Sequence, residues 1–265
     1  MPKTKPETAE QNPVEVPLYS LWDAARYLHV PLWSVLTLTG RFRGWPEPGF
    51  FFHIFRRGFP HPWMFEDDLA FPDDPGDRGR LNFRRFADLF VRAGAFQVVV
   101  EWSRVGGRQR DRWENLYHAV WRVLEDTHRE PIPFDGLPIE ERVEGLVGPY
   151  AGRLEEPQLA LLRKWFAVRL GRVDVKDGVP VRAYPFSRDP AEGSPRVIAL
   201  DPRVRFGRPT VADRGVPTDS LFERYQAGDS LAELVEDYGL TTAEVEEAIR
   251  YEAIPPAPLF PFYGW

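Results

Sequence analysis

Clustered arginines are the residues of this chain with the clearest chemical use, because a guanidinium group binds phosphate through paired hydrogen bonds. Residues 20–57 carry five Arg against two acids, a local charge of +3, and residues 78–113 carry nine Arg against three acids, a local charge of +6. Residues 219–254 carry ten acids against two Arg, a local charge of −8. The net charge of −6 therefore conceals a basic N-terminal half that suits DNA and an acidic C-terminal part that does not.

Other chemistries have less support from the residue spacing. Four potential metal ligands occur between residues 53 and 67: His53, His61, Glu66 and Asp67. They show no HxH or HExxH spacing, and the adjacent Asp pairs at 67–68 and 73–74 are more typical of solvated loops than of a two-metal nuclease. The chain has no Cys and no phosphate-binding, dinucleotide or nucleophile-elbow motif. We expect no enzyme activity, no cofactor and no bound metal.

The N-terminal arginines require a scaffold that presents them, and residues 18–40 predict a helix-turn-helix. Apolar residues from Leu21 to Leu28 follow the i, i+3, i+4, i+7 pattern, with Ser20 as the predicted N-cap. Val30-Pro31 is the predicted turn, and Pro31 opens a second helix that runs to Gly40. The aromatic segment 44–75 is interpreted as an enlarged β wing with a packed aromatic core, or as a surface for single-stranded nucleic acid.

The string YSLWDAARYLHVPLWSVLTLTG (residues 19–40) resembles the opening of MerR-like DNA-binding domains. The resemblance implies a winged helix-turn-helix over residues 18–80. Together with the basic charge it predicts these DNA-binding residues: Trp33, Ser34, Arg41, Arg43, Arg56, Arg57, Arg84 and Arg85. The alternative is that the helices form an ordinary core and the arginines form a solvated face.

Residues 81–194 are predicted to mix helices with a β-hairpin. A helix begins at Phe83 with Asn82 as its cap and carries Arg84, Arg85 and Arg92 on its polar side. A second helix is predicted over 112–127 and short strands near 141–147, while 158–170 fits either a helix or a strand. Asp177-Gly178 between two alternating segments, 172–176 and 179–184, is a strong hairpin signal.

Residues 195–253, here called the C-terminal domain, read as short strands followed by three helices. Alternation predicts strands around Val197–Ala199 and Val204–Phe206. Helices are predicted over 220–227 and 230–238, each closed by a Gly, with Asp229 capping the second and Glu233 in a capping box. A third helix begins at Thr241 or Thr242 and makes a second helix-turn-helix with its predecessor.

The C-terminal domain also resembles the small antitoxin domain of one branch of VapB-like proteins. The resemblance rests on these segments: Leu200-Asp201-Pro202, Phe206-Gly207-Arg208-Pro209, Gly215-Val216-Pro217-Thr218, Gly228-Asp229-Ser230, 236–240 and 247–252. It extends over residues 19–253 and is strongest after Gly171. The chain departs from the usual Gly-Thr-Arg pattern at Ala212-Asp213-Arg214.

This resemblance implies a long two-domain VapB-like antitoxin that neutralises a PIN-like ribonuclease toxin. It also implies a cytoplasmic homodimer that represses its own operon by binding operator DNA. The rival reading is a stand-alone structural or adaptor protein that uses the antitoxin-like domain for protein contacts only. Either reading gives an α+β fold.

The two ends of the chain complete the predicted organisation. Residues 1–17 are predicted to be a disordered leader with no apolar signal region, and no run is long enough to span a membrane. Residues 254–265 combine four Pro with large apolar side chains and either pack on the chain itself or a second copy, or bind the toxin. The predicted partner-binding residues lie on the acidic helices and in this tail: Glu244, Glu247, Leu259, Phe260, Phe262, Tyr263 and Trp265.

Overall fold

A computed structural model describes residues 12–30, 35, 38–39, 80–95, 98, 132–152, 154–188 and 193–254. Within these ranges the fold is α+β, as expected, with seven α-helices and two small antiparallel sheets. The helices are α1 (Leu21–Leu28), α2 (Phe83–Arg92), α3 (Ile139–Val147), α4 (Glu156–Leu170), α5 (Thr218–Ala227), α6 (Leu231–Tyr238) and α7 (Thr242–Ala253). The strands are β1 (Val173–Lys176), β2 (Val179–Ala183), β3 (Ile198–Ala199) and β4 (Thr210–Val211).

Local hydrogen bonds set the helix ends in the N-terminal half. The Ser20 hydroxyl accepts from the Asp23 amide at 3.0 Å, and the Asn82 side chain accepts from the Arg85 amide at 2.9 Å, so both predicted caps are confirmed. Helix α1 ends at His29, whose φ of 50° is left-handed. The turn after α1 therefore begins one residue before the predicted Val30-Pro31.

The three C-terminal helices are confirmed with one corrected cap. Ser230, not Asp229, caps α6 and forms the capping box with Glu233, because the Asp229 carboxylate is paired with Arg224 at 2.5 Å. Thr241 caps α7, and Gly239 ends α6 with a φ of 63°. Three residues, 239–241, therefore connect α6 to α7.

The larger core lies among α1, α2, α3, α4 and the β1–β2 hairpin. Val14, predicted to belong to a disordered leader, is buried in this core, and its carbonyl accepts from the Phe83 amide at 3.1 Å. This bond supplies a partner for one of the first amides of α2, which have none inside the helix. Val35 and Leu38, in the predicted second helix, are buried in the same core.

Segment 141–147 forms helix α3, so the predicted short strands there are wrong. Val143, Leu146 and Val147 are buried at helical spacing and face α4, while the intervening Glu144 is exposed. The valines favoured a strand by propensity, but burial against α4 outweighs that local preference. Helix α4 likewise resolves the open choice for residues 158–170 in favour of a helix.

The predicted hairpin is confirmed. Strands β1 and β2 pair antiparallel with Val173 opposite Ala183, and both turn residues are left-handed, Asp177 at φ 51° and Gly178 at φ 75°. Ala183 then forms a bridge with Leu200, through backbone hydrogen bonds of 2.9 and 3.0 Å. This bridge connects the hairpin to the start of the C-terminal domain.

A second, smaller core lies inside the C-terminal domain. Its buried members are Ile198, Val211, Leu221, Leu234, Leu240, Val245, Ala248 and Tyr251. Strand β3 pairs with β4, Ile198 opposite Val211. The strand predicted around Val204–Phe206 is wrong, because Arg205, Phe206 and Gly207 are all left-handed and form a 3-10 turn instead.

Buried arginines tie these units together. Arg172 donates four hydrogen bonds to carbonyl oxygens of residues 184, 185, 194 and 195, at 2.7 to 3.1 Å, and its guanidinium lies 4.4 Å from the Phe186 ring centre. Burial, with the nearby charge of Arg196, lowers the pKa of Arg172 to about 10. This side chain fixes the connection that leads into the C-terminal domain.

Arg92 departs from its predicted place on the polar side of α2. It is 1% exposed and pairs with Asp88, whose carboxylate also accepts from the Ile132 amide at 2.7 Å. The Asp88 carboxylate compensates for the burial of the guanidinium, so Arg92 serves the core and not a DNA surface.

Candidate functional site

Helix α2 presents two of the predicted DNA-binding arginines at its first turn. Arg85 is exposed and Arg84 is half-buried. The other six predicted DNA-binding residues lie outside the described residues: Trp33, Ser34, Arg41, Arg43, Arg56 and Arg57. The described part of the chain therefore contributes a small basic surface at α2, and the contribution of the predicted wing stays a prediction.

The C-terminal end of α1 contacts α7 of the C-terminal domain. The Tyr251 hydroxyl donates a hydrogen bond to the Tyr27 carbonyl at 2.9 Å, and the Tyr251 ring centre lies 4.6 Å from that of His29. Tyr251 is buried, and burial raises the pKa of its hydroxyl well above the usual value, so it remains a donor. We call this contact between α1 and the C-terminal domain the junction.

Glu252 links three helices across the junction. Its carboxylate accepts from the Arg26 guanidinium on α1 at 2.8 Å and from the Thr218 hydroxyl at the start of α5 at 2.5 Å. The Glu252 side chain is only 7% exposed. A largely buried carboxylate that accepts from two charged or polar donors on different helices holds α1 against the C-terminal domain.

Tyr19 and Gly207 meet at the other edge of the junction. A Cβ atom added to Gly207 would lie 2.0 Å from the Tyr19 hydroxyl oxygen and 2.8 Å from Cζ, and Gly207 has a φ of 75°. The Tyr19 hydroxyl has no hydrogen-bond partner in the described part of the chain. Only glycine permits this close approach of the turn at 205–207 to the ring.

Comparisons with known proteins agree with this architecture. Residues 198–251 match the model of a family described as "Protein of unknown function (DUF433)". Over 251 residues the chain is 24% identical to a protein of Mycobacterium tuberculosis (strain ATCC 25618 / H37Rv) described as "Putative antitoxin VapB45". The alignment covers 89% of this chain and 93% of that protein. The C-terminal domain is therefore DUF433-like.

A solved structure extends the likeness to the fold. The crystal structure of Rv2018 from Mycobacterium tuberculosis matches with a TM-score of 0.51 and 18% identity, over 89% of this chain and 98% of that one. At this identity the match establishes a shared overall fold and nothing about activity.

The two predicted partner-binding glutamates of the DUF433-like domain differ in burial. Glu247 is 3% exposed, and its carboxylate accepts from the Ser187 hydroxyl and pairs with Arg188 and Arg250. It cannot reach a partner while this packing holds, because burial of the carboxylate is compensated by these three groups. Glu244 completes the capping box of α7 by accepting from the Thr241 amide at 2.7 Å, and it pairs with Arg214 at 3.4 Å, with its side chain 20% exposed.

His29 places a titratable group inside the junction. Burial lowers the pKa of its imidazole from 6.5 to about 4, against the opposing effect of hydrogen bonds with the backbone of Phe186 and Tyr251. The neutral imidazole is thus the form that fits between α1 and the DUF433-like domain.

The stability of the protein should fall as pH drops from 6.5 to 4. In this window His29 is protonated in the unfolded chain but not in the folded one. Protonation therefore lowers the free energy of unfolding by about 3 kcal/mol at pH 4. Urea unfolding of wild type and His29→Asn at pH 7 and pH 4.5 measures the difference. Asn tolerates the left-handed φ of 50°, and equal pH sensitivity of the two proteins would contradict the assignment.

Among the described residues no group of three or more His, Asp or Glu could hold a metal ion, and no helix there is long and apolar enough to cross a membrane. The possible ligands His53, His61, Glu66 and Asp67 lie outside the described ranges. So do the predicted helix 112–127 and the tail residues Leu259, Phe260, Phe262, Tyr263 and Trp265.

The junction residues were missed by sequence reasoning. Arg26, Tyr251 and Glu252 occupy ordinary helical positions. Their spacing in the sequence does not predict the contact between Arg26 and Glu252, which are 226 residues apart. One signal was present: Tyr251 lies on the same helical face as Val245 and Ala248, so a polar hydroxyl had to be satisfied at a buried position.

Proposed function

We propose that this protein is the antitoxin of a type II toxin–antitoxin pair. Its role is to neutralise a PIN-like ribonuclease toxin and, as a cytoplasmic homodimer, to repress its own operon by binding operator DNA. The observation that carries the proposal is the 24% identity to the protein described as "Putative antitoxin VapB45", since it covers nearly the whole of both chains. The proposal assigns no catalytic activity to the chain.

The charge distribution supports separate surfaces for the two partners. Helices α5 to α7 span residues 218–253, and residues 219–254 carry a local charge of −8, whereas the basic charge is concentrated before residue 113. Acidic side chains repel phosphates and attract the basic groove of an RNA-binding enzyme. The proposed toxin surface therefore comprises the acidic helices, including Glu244, together with the apolar tail, and it omits the buried Glu247.

The basic charge of residues 20–57 supports assigning operator binding to the N-terminal unit. In helix-turn-helix proteins the second helix reads the major groove, while the first helix crosses the backbone. Helix α1 is the first helix here, and the second is the predicted helix that Pro31 opens. Arg84 and Arg85 on α2 add phosphate contacts to the proposed set Trp33, Ser34, Arg41, Arg43, Arg56 and Arg57.

Replacing Arg41 and Arg43 together by Glu should abolish operator binding and leave toxin neutralisation intact. Two favourable phosphate contacts become repulsive, so the affinity for duplex DNA should fall at least 100-fold at moderate salt. A gel shift with the DNA directly upstream of the reading frame measures this loss. Arg163→Glu on α4, which pairs with Glu144 at 2.7 Å, is the matched surface control.

The same gel shift tests the repressor half of the proposal. Wild-type protein should bind the upstream DNA in a salt-sensitive manner and with preference over a scrambled duplex. Failure to do so would leave only the adaptor reading or an antitoxin without autorepression. An adjacent reading frame that encodes a small protein with spaced acidic residues of the PIN type would favour the antitoxin over the adaptor.

A further inference from the structure

The turn at residues 205–207 has a backbone conformation that its residue types disfavour. Arg205, Phe206 and Gly207 have φ values of 49°, 56° and 75°. Left-handed geometry costs a non-glycine residue about 1 kcal/mol, and a bulky aromatic residue is a marked outlier there. Gly207 is accounted for by its approach to Tyr19, but nothing in that contact requires Phe at position 206.

Phe206 does not compensate for this cost by burial. Its side chain is 82% exposed, more than any other large hydrophobic residue in the described ranges. Asn or Gly would be easier to accommodate at a positive φ, and neither would expose an aromatic ring to water. A side chain that opposes local structure without contributing to the core indicates a contact with another molecule.

The charge around Phe206 selects the kind of molecule. Residues 196–214 carry five Arg against two Asp, a local charge of +3 directly beside the acidic helices, where Arg208 pairs with Asp219 and Arg214 with Glu244. Asp201 is buried and pairs with Arg203 and Arg182, and Asp213 pairs with Arg182, so both acids are neutralised. Arg205 is exposed and has no ion-pair partner among the described residues. The turn therefore offers a free cation beside an exposed ring, which fits a polyanion with flat apolar groups.

We infer that the turn at 203–208 is a second DNA contact, in which Phe206 wedges against a base step of duplex DNA and Arg205 binds an adjacent phosphate. Apolar wedges flanked by Arg are a common means of opening and kinking a minor groove. The inference rests on the proposed operator binding and assigns part of it to the DUF433-like domain. Because Gly207 contacts Tyr19 directly before α1, the junction holds this turn beside that helix.

The test uses the full-length protein and a fluorescent duplex of the DNA directly upstream of its reading frame, titrated by anisotropy at several salt concentrations. Phe206→Ala should lower the affinity about tenfold and reduce the bend measured by energy transfer between the duplex ends. Arg205→Gln should lower the slope of log affinity against log salt by about 1. Tyr225→Ala, which removes an exposed aromatic from acidic α5, is the matched control and should change neither quantity.

A stability measurement separates a binding role from a structural one. Phe206→Asn should weaken DNA binding as Phe206→Ala does, yet raise or preserve the melting temperature, because Asn accepts the left-handed backbone. Wild-type protein that binds no duplex would overturn both this inference and operator binding. Normal binding and bending by Phe206→Ala would overturn this inference alone. Loss of toxin binding with DNA binding retained would make the turn a protein contact instead.

Discussion

Replacing Gly207 by Ala should detach the DUF433-like domain from α1 and lower the free energy of unfolding by about 3 kcal/mol or more. The added Cβ would lie 2.0 Å from the Tyr19 hydroxyl, a separation that no rotamer change of a buried ring relieves. The left-handed φ of 75° adds a backbone penalty of about 1 kcal/mol. Urea unfolding followed by circular dichroism measures the total loss.

Gly193→Ala isolates the backbone penalty in that result. Gly193 has a φ of 78°, and a Cβ there would meet nothing within 4 Å. Its substitution should therefore cost only about 1 kcal/mol. The excess in Gly207→Ala reports the Tyr19 contact, and equal effects of the two substitutions would show that the junction is not closely packed.

Tyr19→Phe provides the second half of a double-mutant cycle. The lost hydroxyl is buried and has no hydrogen-bond partner among the described residues, so this change alone should be neutral or slightly stabilising. Combined with Gly207→Ala it removes the shortest clash and should recover part of the lost stability. A purely additive double mutant would contradict direct contact between the two residues.

Replacing Arg172 by Ala should lower the free energy of unfolding by about 4 kcal/mol. Four carbonyl oxygens of residues 184–195 would lose their donor, and the segment that leads into the DUF433-like domain would lose its fixed course. Arg172→Lys should recover less than half of the loss, because an ammonium group cannot reproduce the planar fork of the guanidinium. Urea unfolding and proteolysis of the connecting segment measure the two effects.

Arg196→Ala is the matched control for Arg172. Arg196 also donates to a carbonyl, that of Gly171 at 2.6 Å, and lies over the Tyr184 ring, but it is exposed. Its loss should cost about 1 kcal/mol or less, since water replaces the donor. A similar cost for both substitutions would show that the number of bonds and the burial of Arg172 do not matter.

Features that depend on neighbouring residues could be predicted from the sequence. The caps at Ser20 and Asn82, the glycine ends of α5 and α6 and the hairpin at Asp177-Gly178 all follow from hydrogen bonds and dihedral angles within a few residues. The N-cap of α6 is Ser230 instead of the predicted Asp229 for an equally local reason. The two residues are adjacent, and the Asp229 carboxylate is paired with Arg224.

Features that depend on distant contacts could not be predicted. The β-branched residues in α3 suggested strands until α4 supplied a surface for one helical face. Glu244 and Glu247 on α7 were both predicted to bind a partner, yet the fold buries Glu247 against Ser187 and Arg188. Glu252, on the same helix, forms an ion pair with Arg26 of α1. A single sequence shows which residues are charged but not which charges are already paired.

Co-expression with the product of the adjacent reading frame tests the central claim, antitoxin activity, most directly. Growth arrest caused by that product alone should be relieved by the full-length chain, and the two proteins should elute as one complex. A variant that lacks residues 255–265 retains every residue of the described C-terminal core and should neutralise less well. Growth arrest that persists although both proteins are folded, with no complex between them, would contradict the account.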